Sequence, residues 1–382
     1  MKGKIYIIFM LILMVFTLTS CNSDTKTEAE VSEMASSMKN ESVDAVESIL
    51  NKMTITEKIG QMTMVGVYGY DVNDDIKYSL NQYHFGGVIV FSRNLESKTQ
   101  LKQFTSNLQK ESNELVPLFI AIDQEGGKVS RLDSIEDRVA PSQEEIGNTG
   151  DPELARIWAV RTAEQLKSLG INVNFAPVAD VGSPDTRSFS YDASTVGSFV
   201  DSAAKGYEDE NFIYCLKHFP GIGKRITDPH QEISSIEVSR ETLEKEDLLP
   251  FKTIISNHPS DKFMVMVSHL KYPAIDESNS ATLSYEVMTK LLRKELGYDG
   301  IIITDDLEMG AVANHNTFSE VGVKAVKAGA DILLVCHDYQ HEQEVYLGIL
   351  EAVQKGEISE DRINESVRRI LKVKLNNLNV ND

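Results

Sequence analysis

The sequence predicts an α/β fold, a single (β/α)₈ TIM barrel, on three observations. The first is a series of apolar runs: GQMTMVGV (60–67), FGGVIVF (85–91), PLFIAID (117–123), INVNFAPVAD (171–180), FIYCLKH (212–218), FMVMVSH (263–269), GIIITDD (300–306) and DILLVC (331–336). They are near-continuous rather than alternating, as parallel strands buried on both faces are. The second is that helical patterns separate them, over 99–111, 152–169, 195–209, 240–256, 284–296 and 319–328, with a final pair ending near 375. The third is that Gly170, Gly297 and Gly329 follow three of these patterns, where a helix C-terminus favours glycine. A doubly wound open sheet meets the same alternation, but eight strand candidates with helices between them favour closure.

The chain before the first strand reads differently. MKGK is a basic start, and Ile5 to Leu18 is apolar except for Thr17. That run is short for a membrane span and suits the apolar core of a signal peptide. It ends in Leu18-Thr19-Ser20-Cys21, which resembles the bacterial lipobox. The resemblance implies cleavage after Ser20, a lipid on the Cys21 thiol, and a place on the extracytoplasmic face of the cell membrane, since two or three acyl chains hold a protein to a bilayer. Residues 1–20 are therefore expected to be a lipoprotein signal peptide. Residues 21–46, acidic, Ser-rich and without aromatics, are expected to be a flexible tether. Residues 47–382 are expected to form the barrel.

Composition narrows the function classes. A formal net charge of −20 argues against nucleic acid, which needs a basic face. Carboxylates are spread along the chain rather than clustered, so no metal and no cofactor is expected. Cys215 and Cys336 each lie in an apolar run and read as buried thiols, not a disulfide framework. His337 and His341 in CHDYQH (336–341) have the (i, i+4) spacing of a helical metal pair, but a polar helix start is the favoured reading. A monomer is expected.

A barrel carries its chemistry at the C-terminal ends of its strands. Those ends hold Arg93 and Asn94, Asp123, Asp180, Lys217 and His218, His269, Asp305 and Asp306, and His337. Helix capping explains some of the aspartates. It does not explain Arg93, Lys217 or His218, so a polar-ligand site on this rim is the stronger reading. Side chains alternate, so one of Asp305 and Asp306 is expected to face the barrel mouth while the other caps the next helix. In DQEGGKVSRL (123–132) the glycines lack nucleotide-binding spacing, whereas Asp123 and Arg131 suit bidentate bonds to vicinal hydroxyls, and Arg187 can join them.

The stretch KHFPGIGKRITDPH (217–230) runs from a strand end into a turn-rich loop. Asp228-Pro229-His230 places an imidazole two residues from a carboxylate, which can orient the ring and favour its cation. His218, fixed on the barrel, is expected to bind, and His230, on the loop, to transfer protons.

Taken together, KHFPG-x-G with D-x-H, GGVIVFSRN (86–94), DQEGG-x-V-x-R (123–131), NFAPVADV (174–181), RSFS (187–190), TDDLEMGA (304–311) and the opening MTITEKIGQM (53–62) resemble the glycoside hydrolase family 3 β-N-acetylglucosaminidases over about residues 47–375. The resemblance implies removal of terminal β-linked N-acetylglucosamine with retention, typically from peptidoglycan (muropeptide) fragments. It also implies Asp305 as nucleophile, His230 as acid/base with Asp228 as partner, and Asp123, Arg131, Arg187, Lys217 and His218 as residues that hold the sugar. Ile222 departs from the family loop, where His or Asp is usual, as do Lys128 and Pro229 at their positions. Two alternatives stay open: a non-catalytic cell-wall-binding lipoprotein, and a phosphorylase on the same scaffold.

Overall fold

The computed structural model describes residues 45–111, 116–183, 185–224, 234–314 and 316–378. The expected signal peptide, Cys21 and nearly all of the tether lie outside the described residues. Within them the apolar runs become eight parallel strands: β1 (Thr63–Gly66), β2 (Gly87–Val90), β3 (Phe119–Ile122), β4 (Val173–Asn174), β5 (Ile213–Phe219), β6 (Phe263–Val267), β7 (Ile301–Asp306) and β8 (Ile332–Val335). Each pairs with its sequence neighbours, and β1 pairs with β8 to close the barrel. Residues of β1 to β6 and β8 are buried throughout, which accounts for the absence of apolar–polar alternation.

Helices cover the outside: α1 (Asp74–Tyr83), α2 (Lys98–Lys110), α3 (Pro152–Ser168), α4 (Ala193–Asp209), α5 (Leu249–Asn257), a π-helix α6 (Glu286–Glu295), α7 (Phe318–Ala328), α8 (Tyr339–Gln354) and α9 (Glu360–Asn377). Their starts follow local chemistry. Asp151 caps α3 ahead of Pro152, Thr317 and Glu320 form a capping box on α7, and Ser359 caps α9. Gly170, Gly297 and Gly329 all take positive φ at helix ends.

The helix expected over 240–256 is instead two, Arg240–Lys245 and α5. Pro250 occupies the first turn of α5, where it needs no amide donor, and a continuous helix would drive its ring into the carbonyl of Glu246. Helix α1 and the short hairpin Gln124–Gly126 with Val129–Ser130 were not expected from the pattern.

Two buried polar clusters close the N-terminal end of the barrel, one without an acidic partner among the described residues and one built on a carboxylate. Lys374 on α9 donates to Gln61 Oε1 at 2.8 Å and to the Gly86 carbonyl at 2.7 Å, its Nζ lies 4.7 Å from the Phe119 ring centre, and burial holds its pKa well below the ordinary lysine value. Asp331, just before β8, accepts from Arg293 at 2.6 Å, Arg369 at 3.2 Å, Ser366 at 2.6 Å and the Ile302 amide at 2.9 Å. It ties α6, α9 and β7 together.

Candidate active site

The opposite, C-terminal end of the barrel opens into a cavity of ≈ 500 Å³, within the range of small-ligand sites. Its lining includes Asp123, Arg131, Arg187, Lys217, His218, Asp305, Asp306 and Ile222. Strands β3, β5 and β7 and the loop after β4 therefore bring every sugar-holding candidate and the candidate nucleophile to one place. Asp228 and His230 lie outside the described residues.

The polar groups of the cavity are bonded to one another. Lys217 Nζ lies 2.7 Å from Asp123 Oδ1 and 2.6 Å from Glu125 Oε1. Glu125 also accepts two bonds from Arg187, Nε to Oε2 and Nη2 to Oε1, both 2.8 Å. Arg187 Nη2 lies 3.3 Å from His218 Nε2, and His218 Nδ1 lies 2.8 Å from Asp180 Oδ2. A guanidinium only donates, so in the neutral ring Nε2 is the acceptor and the Nδ1 hydrogen goes to Asp180, whereas in the cation Nδ1 still donates to Asp180 and the positive ring favours ionised Asp305. Asp180 further accepts from the amides of His218 and Ile222, at 3.1 and 2.9 Å. Arg131 reaches Asp123 at 3.6 Å, and its buried Nε has no partner among the described residues. The Lys217–His218 peptide is cis.

These contacts set the charges. Burial alone would raise the Glu125 pKa, but Lys217 and Arg187 overcome it and hold it at about 2. Burial opposes the charge of Lys217, while Asp123 and Glu125 keep its pKa above the ordinary value. Burial likewise opposes ionisation of Asp305, yet His218, His269, the Asp306 amide and Lys217 together hold its carboxyl below the usual range. That amide donates to Asp305 Oδ1 at 2.9 Å. The cavity thus presents the Asp305 carboxylate, favoured in its ionised form, beside a more deeply buried cluster of fixed donors and acceptors.

Several strand-end residues do other work than expected. Asp306 caps no helix. It accepts from the Glu308 amide at 3.1 Å and faces His337 Nε2 at 3.2 Å. Arg93 binds the Val67 and Cys336 carbonyls, at 3.0 and 2.6 Å, and so clamps neighbouring loops. His337 precedes the cap of α8 and is not on the helix, while His341 bonds Glu308 Oε1 at 2.6 Å and stacks on Phe318, so the two do not converge as a ligand pair. Cys215 and Cys336 are buried and free. Ile222, 4% exposed, gives the cavity wall an apolar side chain where its amide caps Asp180.

Sequence reasoning missed the roles of Glu125 and Asp180. The signal for Glu125 was present: it lies two residues beyond Asp123, and in extended chain such residues share a face. Gly126 makes that turn possible. Its φ is +95°, and a Cβ there would sit 2.3 Å from the Pro141 carbonyl oxygen.

The relatives of the chain are consistent in kind. It is 34% identical to Beta-hexosaminidase A of Pseudoalteromonas piscicida over 77% of this chain and 54% of that protein, so it spans about half the length of that relative. It is 33% identical to Beta-hexosaminidase LpqI of Mycobacterium tuberculosis over 83% of this chain and 82% of that protein. Among solved structures, a glycoside hydrolase family 3 beta-N-acetylglucosaminidase from Paenibacillus sp. superposes with a TM-score of 0.81 at 38% identity, covering 85% of this chain and 62% of that one. LpqI of M. tuberculosis superposes with a TM-score of 0.79 at 30% identity, covering 86% and 96%. The glycosyl hydrolase family 3 N terminal domain matches residues 54–373, nearly all of the barrel, and the chain belongs to that family.

Proposed function

We propose that the protein is a retaining exo-β-N-acetylhexosaminidase that removes terminal β-linked N-acetylglucosamine, with muropeptide fragments as its natural substrates. The observation that carries this reading is that Asp305, whose surroundings favour its carboxylate form, lines the same cavity as the bonded cluster of Asp123, Glu125, Arg187, Lys217 and His218. Relatives named beta-hexosaminidase support the choice of sugar. In the first half-reaction Asp305 attacks the anomeric carbon as the glycosidic C–O bond breaks, and His230 gives its proton to the departing oxygen. In the second, His230 takes a proton from water, the water oxygen attacks the anomeric carbon, and the bond to Asp305 breaks. Asp228 orients the imidazole and stabilises its cation. Anchoring at Cys21 to the extracytoplasmic membrane face belongs to the same reading.

The test compares release of p-nitrophenol from its β-N-acetylglucosaminide and β-glucoside, with and without phosphate. The wild type should prefer the first and gain nothing from phosphate. Acceleration by phosphate would instead support a phosphorylase. Asp305→Asn should lose on the order of a thousandfold or more in turnover. His230→Ala should retain more activity on a dinitrophenyl glycoside than on a disaccharide, and azide should restore its turnover. If Glu232→Ala shows that pattern and His230→Ala does not, the proton carrier is a carboxylate.

A further inference from the structure

The outer rim of the cavity carries aromatic surface that this chemistry leaves unused. His337, which follows β8, lines the cavity with both ring nitrogens already engaged. Nε2 lies 3.2 Å from Asp306 Oδ2, and Nδ1 lies 3.3 Å from Arg93 Nη1. In the neutral ring Nδ1 accepts from Arg93 and the Nε2 hydrogen goes to Asp306; a protonated ring keeps the Asp306 bond. In either state both nitrogens face protein partners, so the ring is a poor candidate for proton exchange with a substrate. The residue is also fixed through its backbone: the Tyr68 hydroxyl donates to its carbonyl at 2.8 Å, and Glu308 accepts from its amide. What remains open is a ring face, since the side chain is 50% exposed. The Phe91 ring lies beside it, 5.6 Å between centres and tilted by 32°. The Arg93 guanidinium lies 4.4 Å from the Phe91 ring centre and 4.5 Å from that of Tyr68, and holds both in place.

We propose that Phe91 and His337 form a stacking platform for the ring of the departing group, so that the protein favours substrates whose aglycone is itself a pyranose. The proposal rests on the glycosidase reading above. Depth assigns the ligand. The side chains of Lys217, His218 and Glu125 are 3%, 6% and 2% exposed, so the hydroxyl-binding cluster lies at the bottom, while His337 lies at the mouth. A terminal sugar seated at the bottom leaves the rest of its chain to pass the rim. A pyranose presents a C–H face that an aromatic face can cover, and a His337 already held by Asp306, Arg93, Tyr68 and Glu308 loses little freedom on binding.

The experiment measures kcat/KM for the β-1,4-linked N-acetylglucosamine disaccharide and for methyl β-N-acetylglucosaminide, which lacks a second ring. The readout is the ratio of the two. His337→Gln removes the ring, His337→Phe keeps a ring and removes the nitrogens, and Phe91→Leu removes the neighbouring face. The ratio should fall on the order of fivefold in His337→Gln and Phe91→Leu, as an aromatic contact of about 1 kcal/mol predicts, and should be retained in His337→Phe. An unchanged ratio in His337→Gln and Phe91→Leu overturns the proposal. So does an equal fall in His337→Phe and His337→Gln, because the nitrogens and not the face would then matter. A wild type that hydrolyses neither substrate defeats the glycosidase reading itself, and the platform with it.

Discussion

Replacing Glu125 by Gln tests the charge cluster with almost no change of shape. Glu125 is 6% exposed, and among the described residues it meets two cations, Lys217 and Arg187, through three contacts of 2.6 to 2.8 Å. Its pKa falls from 4.5 to about 2, and at about 1.4 kcal/mol for each tenfold change this corresponds to about 3 kcal/mol in favour of the ionised form at neutral pH. Gln offers one acceptor, and its amide nitrogen meets cations that can only donate. Removing one partner of a buried ionic group costs about 3–5 kcal/mol by mutational experience, so the two figures agree in size. Glu125→Gln should therefore lower stability at pH 7 by about 3 kcal/mol, read as a lower urea midpoint at unchanged slope. The sign with pH follows from a depressed carboxyl. The stabilisation is fully present above pH 4.5 and is lost as pH falls towards 2, so the gap between wild type and variant should narrow in acid. Displacement of Arg187 and Lys217 should also cost on the order of a hundredfold in kcat/KM. Equal urea midpoints at pH 7, or a gap that widens in acid, would refute the reasoning.

Asp331→Ala leaves Arg293 and Arg369 without their shared carboxylate at the closed end of the barrel, and should cost about 3–5 kcal/mol in urea unfolding, with Asp331→Asn milder. His258 sits between Glu208 Oε1 at 2.8 Å and Asp201 Oδ1 at 3.2 Å, and those carboxylates overcome burial to raise its pKa. His258→Gln should thus be less stable than wild type below pH 6.5 by about 2 kcal/mol, and the difference should vanish as pH rises through the raised value. Cys21→Ala should move the protein from the membrane to the soluble fraction on cell fractionation; a variant that stays in the membrane fraction contradicts the lipid anchor.

The strands were legible because burial on both faces leaves a direct mark: a run such as FMVMV (263–267) has no polar position to alternate with. Strand ends were legible for the same reason, since a charge at the end of such a run, as at Lys217 or Asp305, has nowhere to go but the rim. Helix ends at Gly170, Gly297 and Gly329 were written in residues that alone take positive φ cheaply. Partnership was not legible. Lys217 meets Asp123 across 94 residues and His218 meets Asp180 across 38, distances along the chain that no local pattern reports. The same holds for Arg93, whose charge suggested a ligand but whose guanidinium is taken up by the Val67 and Cys336 carbonyls. Local chemistry and burial fix where each element starts, stops and faces. Which charge neutralises which is decided only when barrel closure brings strand ends from distant segments within hydrogen-bonding range.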